Sequence, residues 1–358
     1  MKIAFLNIYN GLVDRGAETY VKELANRLSL KHKVSVFQAG EKRGNEKYKV
    51  EKINVGINWN KKDETSTLKR KFFIDYWSFK ILHFTFKSIP KIFKEKYDVV
   101  IPVNGGWMPA LLRILTWLYG GKMVISGQSG IGWDDINNLW CFPNAFVSLS
   151  DYATKWAKGM NSFVKVEVIP NGVDLNKFKI DGEKFEQNLP RPVVFCAGAL
   201  IKQKRIDLAI KAVAKLKNVS LLVSGKGDLE EEIVKLGKKL LGKRFKLISA
   251  NFNEIPSVYR SVDLFTLPSE DYQAFEIVLI EAMATNIAVV ANNDPIREEI
   301  VGDGGLLVNP LNIQKYSEVL KEALKKDWSN KPINQAKKFD WNIVTQKYEE
   351  LFTNLTKK

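Results

Sequence analysis

Short apolar runs alternate along the chain with stretches whose apolar residues recur every three or four positions. The first run, KIAFLN, leads into a glycine-containing turn, NGLVDRGAE, and then into AETYVKELANRLSL. In that last stretch Tyr20, Val21, Leu24, Ala25 and Leu28 share one face of a helix. KVSVF follows as a second strand. Strand, helix and strand joined by short links predict a parallel, doubly wound α/β sheet. YDVVIPV, KMVISG, AFVSLS and VKVEVIP supply further strands.

Near mid-chain the pattern breaks at IPNGVD, a Pro-Asn-Gly turn from Ile169 to Asp174, and at the polar stretch FKIDGEKFEQNLPRP, which reads as a linker. It then restarts. PVVFCAG, VSLLVSG, FKLIS, LFTLP and IAVVAN read as strands, with RIDLAIKAVAKL and DLEEEIVKLGKKLL as helices. The expected boundaries are 1–172 and 173–340, followed by a terminal helix, 341–358. That helix, WNIVTQKYEELFTNL, puts Trp341, Val344, Tyr348, Leu351 and Phe352 on one face. In open parallel sheets ligands bind beyond the carboxyl ends of the strands. Two such domains facing each other are expected to form a cleft that holds two substrates and excludes water.

Composition narrows the picture. The 358 residues are 45% hydrophobic and 11% aromatic, ordinary for a folded chain of about two domains. MKIAFLNIYN is too short in its apolar run for a signal-peptide core, and PALLRILTWLYGG is broken by Arg113 and too short to span a bilayer. Cys141 and Cys196 read as free thiols in a reducing cytoplasm. The net charge is +15. It fits nucleic acid, an anionic membrane, a phosphorylated ligand or simply a lysine-rich surface. No arginine-rich tail or nucleic-acid motif is present, so no nucleic-acid partner is expected. The charge clusters: residues 61–97 hold ten Lys or Arg, four acids and nine aromatics. There Phe72, Tyr76, Phe79, His83 and Phe86 share a helical face, with Lys80, Lys87, Lys91 and Lys94 on another. Such a segment suits the surface of an anionic membrane, or equally a core helix with solvated lysines.

Candidate chemistry begins at Glu281, a carboxylate inside the apolar run IVLIEAMA. Burying an unpaired charge costs several kcal/mol, roughly, so it needs a partner, and that partner need not be protein. No Ser-His-Asp set and no Asp-x-Asp metal motif is visible, and two histidines with two distant cysteines argue against a transition-metal site. SGKGDLEEE has Gly225 and Gly227 but no third glycine, which makes a weak dinucleotide fingerprint and a weak case for an NAD-dependent oxidoreductase.

Several segments together resemble a known family. DRGAE, VIPNGVD, GALIKQKRIDLAIKA, PSEDYQAFEIVLIEAMATNIAVVA, DPIREEIVGDGGLLVNP and FDWNIVTQKYEELF, in that order, are similar to motifs of retaining nucleotide-sugar glycosyltransferases of the GT-B fold, family 4. The resemblance implies two Rossmann-like domains, acceptor-binding then donor-binding, and a terminal helix crossing back to the first. It places the ribose-binding glutamate at Glu281 and a diphosphate-binding lysine at Lys204. Gly16 falls in a loop whose backbone approaches the donor phosphate. Ala274, Phe275, Glu276, Ile277 and Val278 fall in the donor-binding helix start, whose free N–H groups suit an anion.

Three positions depart from the pattern. Gln273 stands where the family has the first glutamate of its pair, near the donor sugar; Glu270 and Glu276 are nearby acids able to substitute. Glu276 occupies a usual glycine position and is equally readable as a helix-start acid favoured by the dipole. Ala199 replaces the usual arginine, with Arg205, at another usual glycine, available as a cation. Gln128 sits where a histidine close to the reacting sugar is expected, and His32 and His83 fit no site. Asp134 and Asp135 read as local acids or as caps of the next helix. The resemblance implies a UDP- or GDP-sugar donor and a glycan or lipid-linked acceptor. It also implies front-face displacement without a metal or other cofactor, at a cytoplasmic or peripheral membrane location. The alternative is a catalytically impaired sugar-nucleotide binder.

Overall fold

The structure, a computed structural model, describes residues 1–13, 15–42, 44, 46–58, 66–271 and 275–357. The chain forms two compact units, Met1–Asn171 with Trp341–Lys358, and Gly172–Asp340.

In the first unit the strands are β1 (Lys2–Leu6), β2 (Lys33–Gln38), β3 (Lys49–Lys52), β4 (Val99–Pro102), β5 (Lys122–Ser126), β6 (Ala145–Ser148) and β7 (Val166–Val168). They pair in parallel in the order β3-β2-β1-β4-β5-β6-β7. Alternate residues of β1 serve opposite faces. Ile3 and Phe5 join a core with helix Gly16–Leu28, while Ala4 and Leu6 join Phe84, Met108 and Leu112 on the other side. Burial on both faces is why the central strands β1 and β4 read as unbroken apolar runs.

The helix Trp341–Thr356 completes the first core. Its Trp341, Val344, Tyr348, Leu351 and Phe352 are buried with Tyr20, Val21, Leu24 and Leu28. The Tyr20 ring lies 6.5 Å from Trp341 and 6.0 Å from Tyr348, and the Tyr348 hydroxyl meets Ser126 Oγ at 3.2 Å.

The second unit holds β8 (Val193–Ala197), β9 (Ser220–Ser224), β10 (Phe245–Ile248), β11 (Leu264–Leu267), β12 (Val289–Asn292) and β13 (Gly305–Val308). Their order is β10-β9-β8-β11-β12-β13, again parallel. The chain reverses its direction of travel between β1 and β4 in the first sheet and between β8 and β11 in the second. Those are the switch points where loops diverge and leave a crevice.

Two strands escaped the sequence reading. β3 is KVEK, a polar edge strand with no apolar alternation. β13 opens on Gly305, where a Cβ would come within 2.1 Å of the Val289 carbonyl oxygen. The stretch read as a linker is corrected. It is irregular but belongs to the second unit: Phe178 is buried, with ring contacts to Phe252 and Tyr259 at 6.4 and 6.1 Å. Phe185 N donates to the Ser257 carbonyl, and the Gln187 amide to that of Ser261. A polar composition hid one aromatic anchor. Both cysteines are free thiols, Cys196 buried within β8. Among the described residues no helix is long and apolar enough to cross a membrane.

Candidate active site

In the second unit, β8 ends at Ala197 and the chain runs through Gly198–Ile201 into a tight turn, Lys202–Lys204. This loop is packed against the one after β9. Leu200 N donates to the Lys226 carbonyl at 2.9 Å, and Leu229 N to that of Leu200 at 3.0 Å. A Cβ on Gly225 would come within 2.0 Å of the Gly198 carbonyl oxygen. Close backbone packing thus accounts for the glycines of SGKGD without a dinucleotide. Arg205 follows with φ 48 and ψ 37, the left-handed region. A glycine would adopt it freely, whereas a side chain costs about 1–2 kcal/mol.

The turn delivers Lys204 to the carboxyl ends of β8 and β11. There its Nζ meets Glu276 Oε1 at 2.7 Å and Oε2 at 3.0 Å. Glu276 Oε1 also accepts from Arg297 Nη2 at 3.2 Å. Arg297 is 1% exposed and further bonded to Asp294 Oδ2 (3.1 Å) and Ser269 Oγ (3.0 Å). Asp294 in turn caps the helix Pro295–Val301, accepting from the backbone N–H groups of Ile296 and Arg297. Arg205 Nη2 lies 3.8 Å from Glu270 Oε1, and the Glu270 N–H donates to the Gln203 carbonyl at 2.8 Å. Breaking a buried ion pair by removing one partner costs about 3–5 kcal/mol, so Asp294, Arg297 and Glu276 hold one another in place. The sequence reading passed over Arg297. Its signal was an arginine directly after the apolar pair Pro295–Ile296 in DPIREEI.

Glu276 stands at the N-cap of helix Ile277–Ala284 but makes no side-chain cap bond. Its carboxylate is turned to the two cations. Glu281, mid-helix and 7% exposed, has a protein partner: the Tyr259 hydroxyl lies 3.1 Å from its Oε2 and 3.2 Å from the Val278 carbonyl oxygen. Burial, and then the neighbouring carboxylate, push the Tyr259 phenol well above its usual range, so it stays protonated and donates. Phe275 packs edge-on against Phe339 at 5.6 Å, and Ile277 is buried. Gln273 and Ala274 lie outside the described residues.

The remaining candidates belong to the first unit. Gly16 is exposed at the first position of its helix. Two residues on, Glu18 is buried and accepts from Asn7 Nδ2 at 3.1 Å. Burial raises its pKa, with the Asn7 bond opposing. Glu18, too, went unremarked, although it closes the motif DRGAE. Gln128 is engaged by protein. Its amide exchanges two hydrogen bonds with Asn171, at 3.1 and 3.0 Å, and donates to Ser126 Oγ at 2.9 Å. The capping expectation for Asp134 and Asp135 is corrected: Gly132 is the N-cap, no side chain caps the helix, and both acids lie in its first turn. Asp135 is buried, accepts from Asn138 Nδ2 at 3.0 Å, and its pKa is raised to about 7 by desolvation, with Asp134 adding to the rise.

Fold and site define an α/β protein of two doubly wound domains, with a cluster of ion pairs at the switch point of the second. Residues 15–177 match the model of Glycosyltransferase Family 4, and residues 178–339 that of Glycosyl transferases group 1. The chain belongs to the family 4 glycosyltransferases of the GT-B fold. A phosphatidyl-myo-inositol mannosyltransferase of Mycolicibacterium smegmatis is 28% identical over 225 residues, 59% of this chain but only 57% of that relative's length. The O-antigen biosynthesis glycosyltransferase WclY of Escherichia coli is 26% identical over 275 residues, 74% of each chain. The HepE structure from Anabaena, in complex with UDP and glucose, superposes with a TM-score of 0.77 over 99% of both chains at 18% identity.

Proposed function

We propose that the chain transfers a sugar from a UDP- or GDP-sugar to a glycan or lipid-linked acceptor, with the second unit holding the donor. The observation that carries this reading is the placement of Lys204, Arg205 and Arg297 around the carboxyl ends of β8 and β11, where a doubly wound sheet binds phosphorylated ligands. Glu281, on the helix that follows β11, supplies the carboxylate for the ribose hydroxyls. The names of the relatives support a sugar donor and glycan or lipid acceptors.

In this reading the reaction retains configuration by front-face displacement. The leaving diphosphate takes the acceptor proton, and the protein supplies positioning and charge. Lys204, Arg205 and the start of helix Ile277–Ala284 stabilise the leaving group, and no metal or other cofactor takes part. The deciding experiment incubates the protein with UDP- and GDP-sugars, with and without EDTA, and follows nucleotide release and the anomeric configuration of the product by NMR. Release in EDTA with retention supports the proposal. Absence of release from every donor, or strict dependence on added Mg²⁺ or Mn²⁺, overturns it.

The acceptor reading extends to an anionic membrane. Phe79, Phe86 and Phe93 recur every seven residues along helix Tyr76–Glu95 and are each about half exposed (53, 54 and 48%). On helix Trp107–Tyr119, packed beside it, Trp107, Ile114, Trp117 and Leu118 are exposed as well. A bare apolar face flanked by lysines suits an interface with anionic lipid. A second reading, a nucleotide-sugar binder without turnover, draws on the three departures from the family pattern at Gln273, Ala199 and Gln128.

A further inference from the structure

We propose that Glu276 is an internal counter-ion that competes with the donor's diphosphate for Lys204, so that donor binding requires its carboxylate to let go of that lysine. The inference rests on the donor reading above and names a residue that sets diphosphate affinity within it.

Three observations carry it. First, both Glu276 oxygens are within hydrogen-bond distance of Lys204 Nζ, at 2.7 and 3.0 Å, and the two side chains are only 9% and 19% exposed. A phosphate reaching Lys204 meets a carboxylate of like charge already in contact with the same ammonium. Second, the cluster is charge-balanced: Lys204, Arg205 and Arg297 face Glu276, Glu270 and Asp294. A diphosphate therefore finds no surplus positive charge until one pairing is given up. Third, the displaced carboxylate is not stranded. Its Oε1 is also 3.2 Å from Arg297 Nη2, and that guanidinium is anchored by Asp294 and Ser269. Letting go of Lys204 leaves Glu276 with one buried cation instead of none, so the exchange is feasible without exposing a bare charge.

Isothermal titration with inorganic pyrophosphate, UDP and GDP tests this on the wild type, Glu276→Gln, Lys204→Met and the double variant, each shown folded by a thermal melt. We expect Glu276→Gln to bind pyrophosphate at least about ten-fold more tightly than the wild type, since like charges placed together are strongly unfavourable. Lys204→Met should cost little in the wild-type background and should erase the gain in the Glu276→Gln background. Equal or weaker pyrophosphate binding by Glu276→Gln overturns the proposal. A gain for pyrophosphate with no binding of UDP or GDP upholds the competition and overturns the nucleotide-sugar reading instead. Should Glu276→Gln fail to fold, Glu276→Asp replaces it. That variant keeps a charge for Arg297 but is one methylene shorter and draws back from Lys204. Tighter pyrophosphate binding by it supports the proposal, and unchanged or weaker binding overturns it.

Discussion

Tyr259 Oη lies 3.1 Å from Glu281 Oε2, a phenol and a carboxylate both withdrawn from solvent and joined across two helices, Ile255–Tyr259 and Ile277–Ala284. The pair shows how a charge is tolerated inside IVLIEAMA: one oxygen receives a donor that cannot ionise in its place. Tyr259→Phe should destabilise the protein by about 1–3 kcal/mol, the usual cost of leaving a buried acceptor short of a partner. Urea denaturation measures this. Glu281→Gln keeps the shape, and under the proposed function it should weaken UDP or GDP binding at least about ten-fold while shifting the melting temperature by only a few degrees. Unchanged nucleotide affinity in a folded Glu281→Gln protein would remove this residue from the donor site.

Trp341 is the point at which the last helix is fastened. It is 1% exposed and lies against Tyr20. Trp341→Ala should cost about 3–5 kcal/mol, the range for truncating a buried aromatic. Ile343, two residues on and 45% exposed, is the control. Ile343→Ala should stay within about 0.5 kcal/mol of the wild type. Similar losses at both positions would show that the helix is not docked by this face.

Asp135 makes stability depend on pH. Its pKa is raised from 3.8 to about 7 by burial, so the folded state binds a proton more tightly than the unfolded state between those values. Stability from this group is therefore greatest in acid and falls as pH rises towards 7; the full span corresponds to a penalty on the order of 4 kcal/mol. Asp135→Asn retains an acceptor for Asn138 and has nothing to ionise. Its stability relative to wild type should be near zero at pH 4 and increasingly favourable up to pH 8. A difference that does not change with pH rejects the assignment.

The exposed aromatics of the first unit give a direct membrane test. The wild type should co-sediment with vesicles containing an anionic phospholipid at low ionic strength and be released by salt, as screening removes the lysine contribution. Replacing Phe86 and Trp117 together by serine should abolish sedimentation without lowering stability, because both side chains are already exposed, at 54 and 75%. A wild-type chain that stays in the supernatant at low salt rules out the membrane face.

The sequence by itself determined most of the strands, the doubling of the α/β pattern and the family. Each rests on local signals: apolar runs buried on both faces of a sheet, helical spacing in segments such as AETYVKELANRLSL, and short motifs in a set order. It also marked Glu281, an acid inside an apolar run and so an anomaly visible without coordinates, while Lys204 was marked only by the resemblance of its motif to the family's. What only the tertiary structure decided was pairing. Glu276 reads equally as a donor-site acid or a helix-start acid because its neighbours in the chain are all that the sequence shows, yet its partners are 72 and 21 residues away. Tyr259 and Asn171, which complete Glu281 and Gln128, lie 22 and 43 positions distant. Phe178 looked like linker because widely spaced aromatics in a polar stretch show no period, and it is the rings of Phe252 and Tyr259 beside it that show it is anchored. Charge and hydrogen-bond partners are chosen by the order of strands in the sheet, which brings the loop ends together, and no local pattern encodes that order.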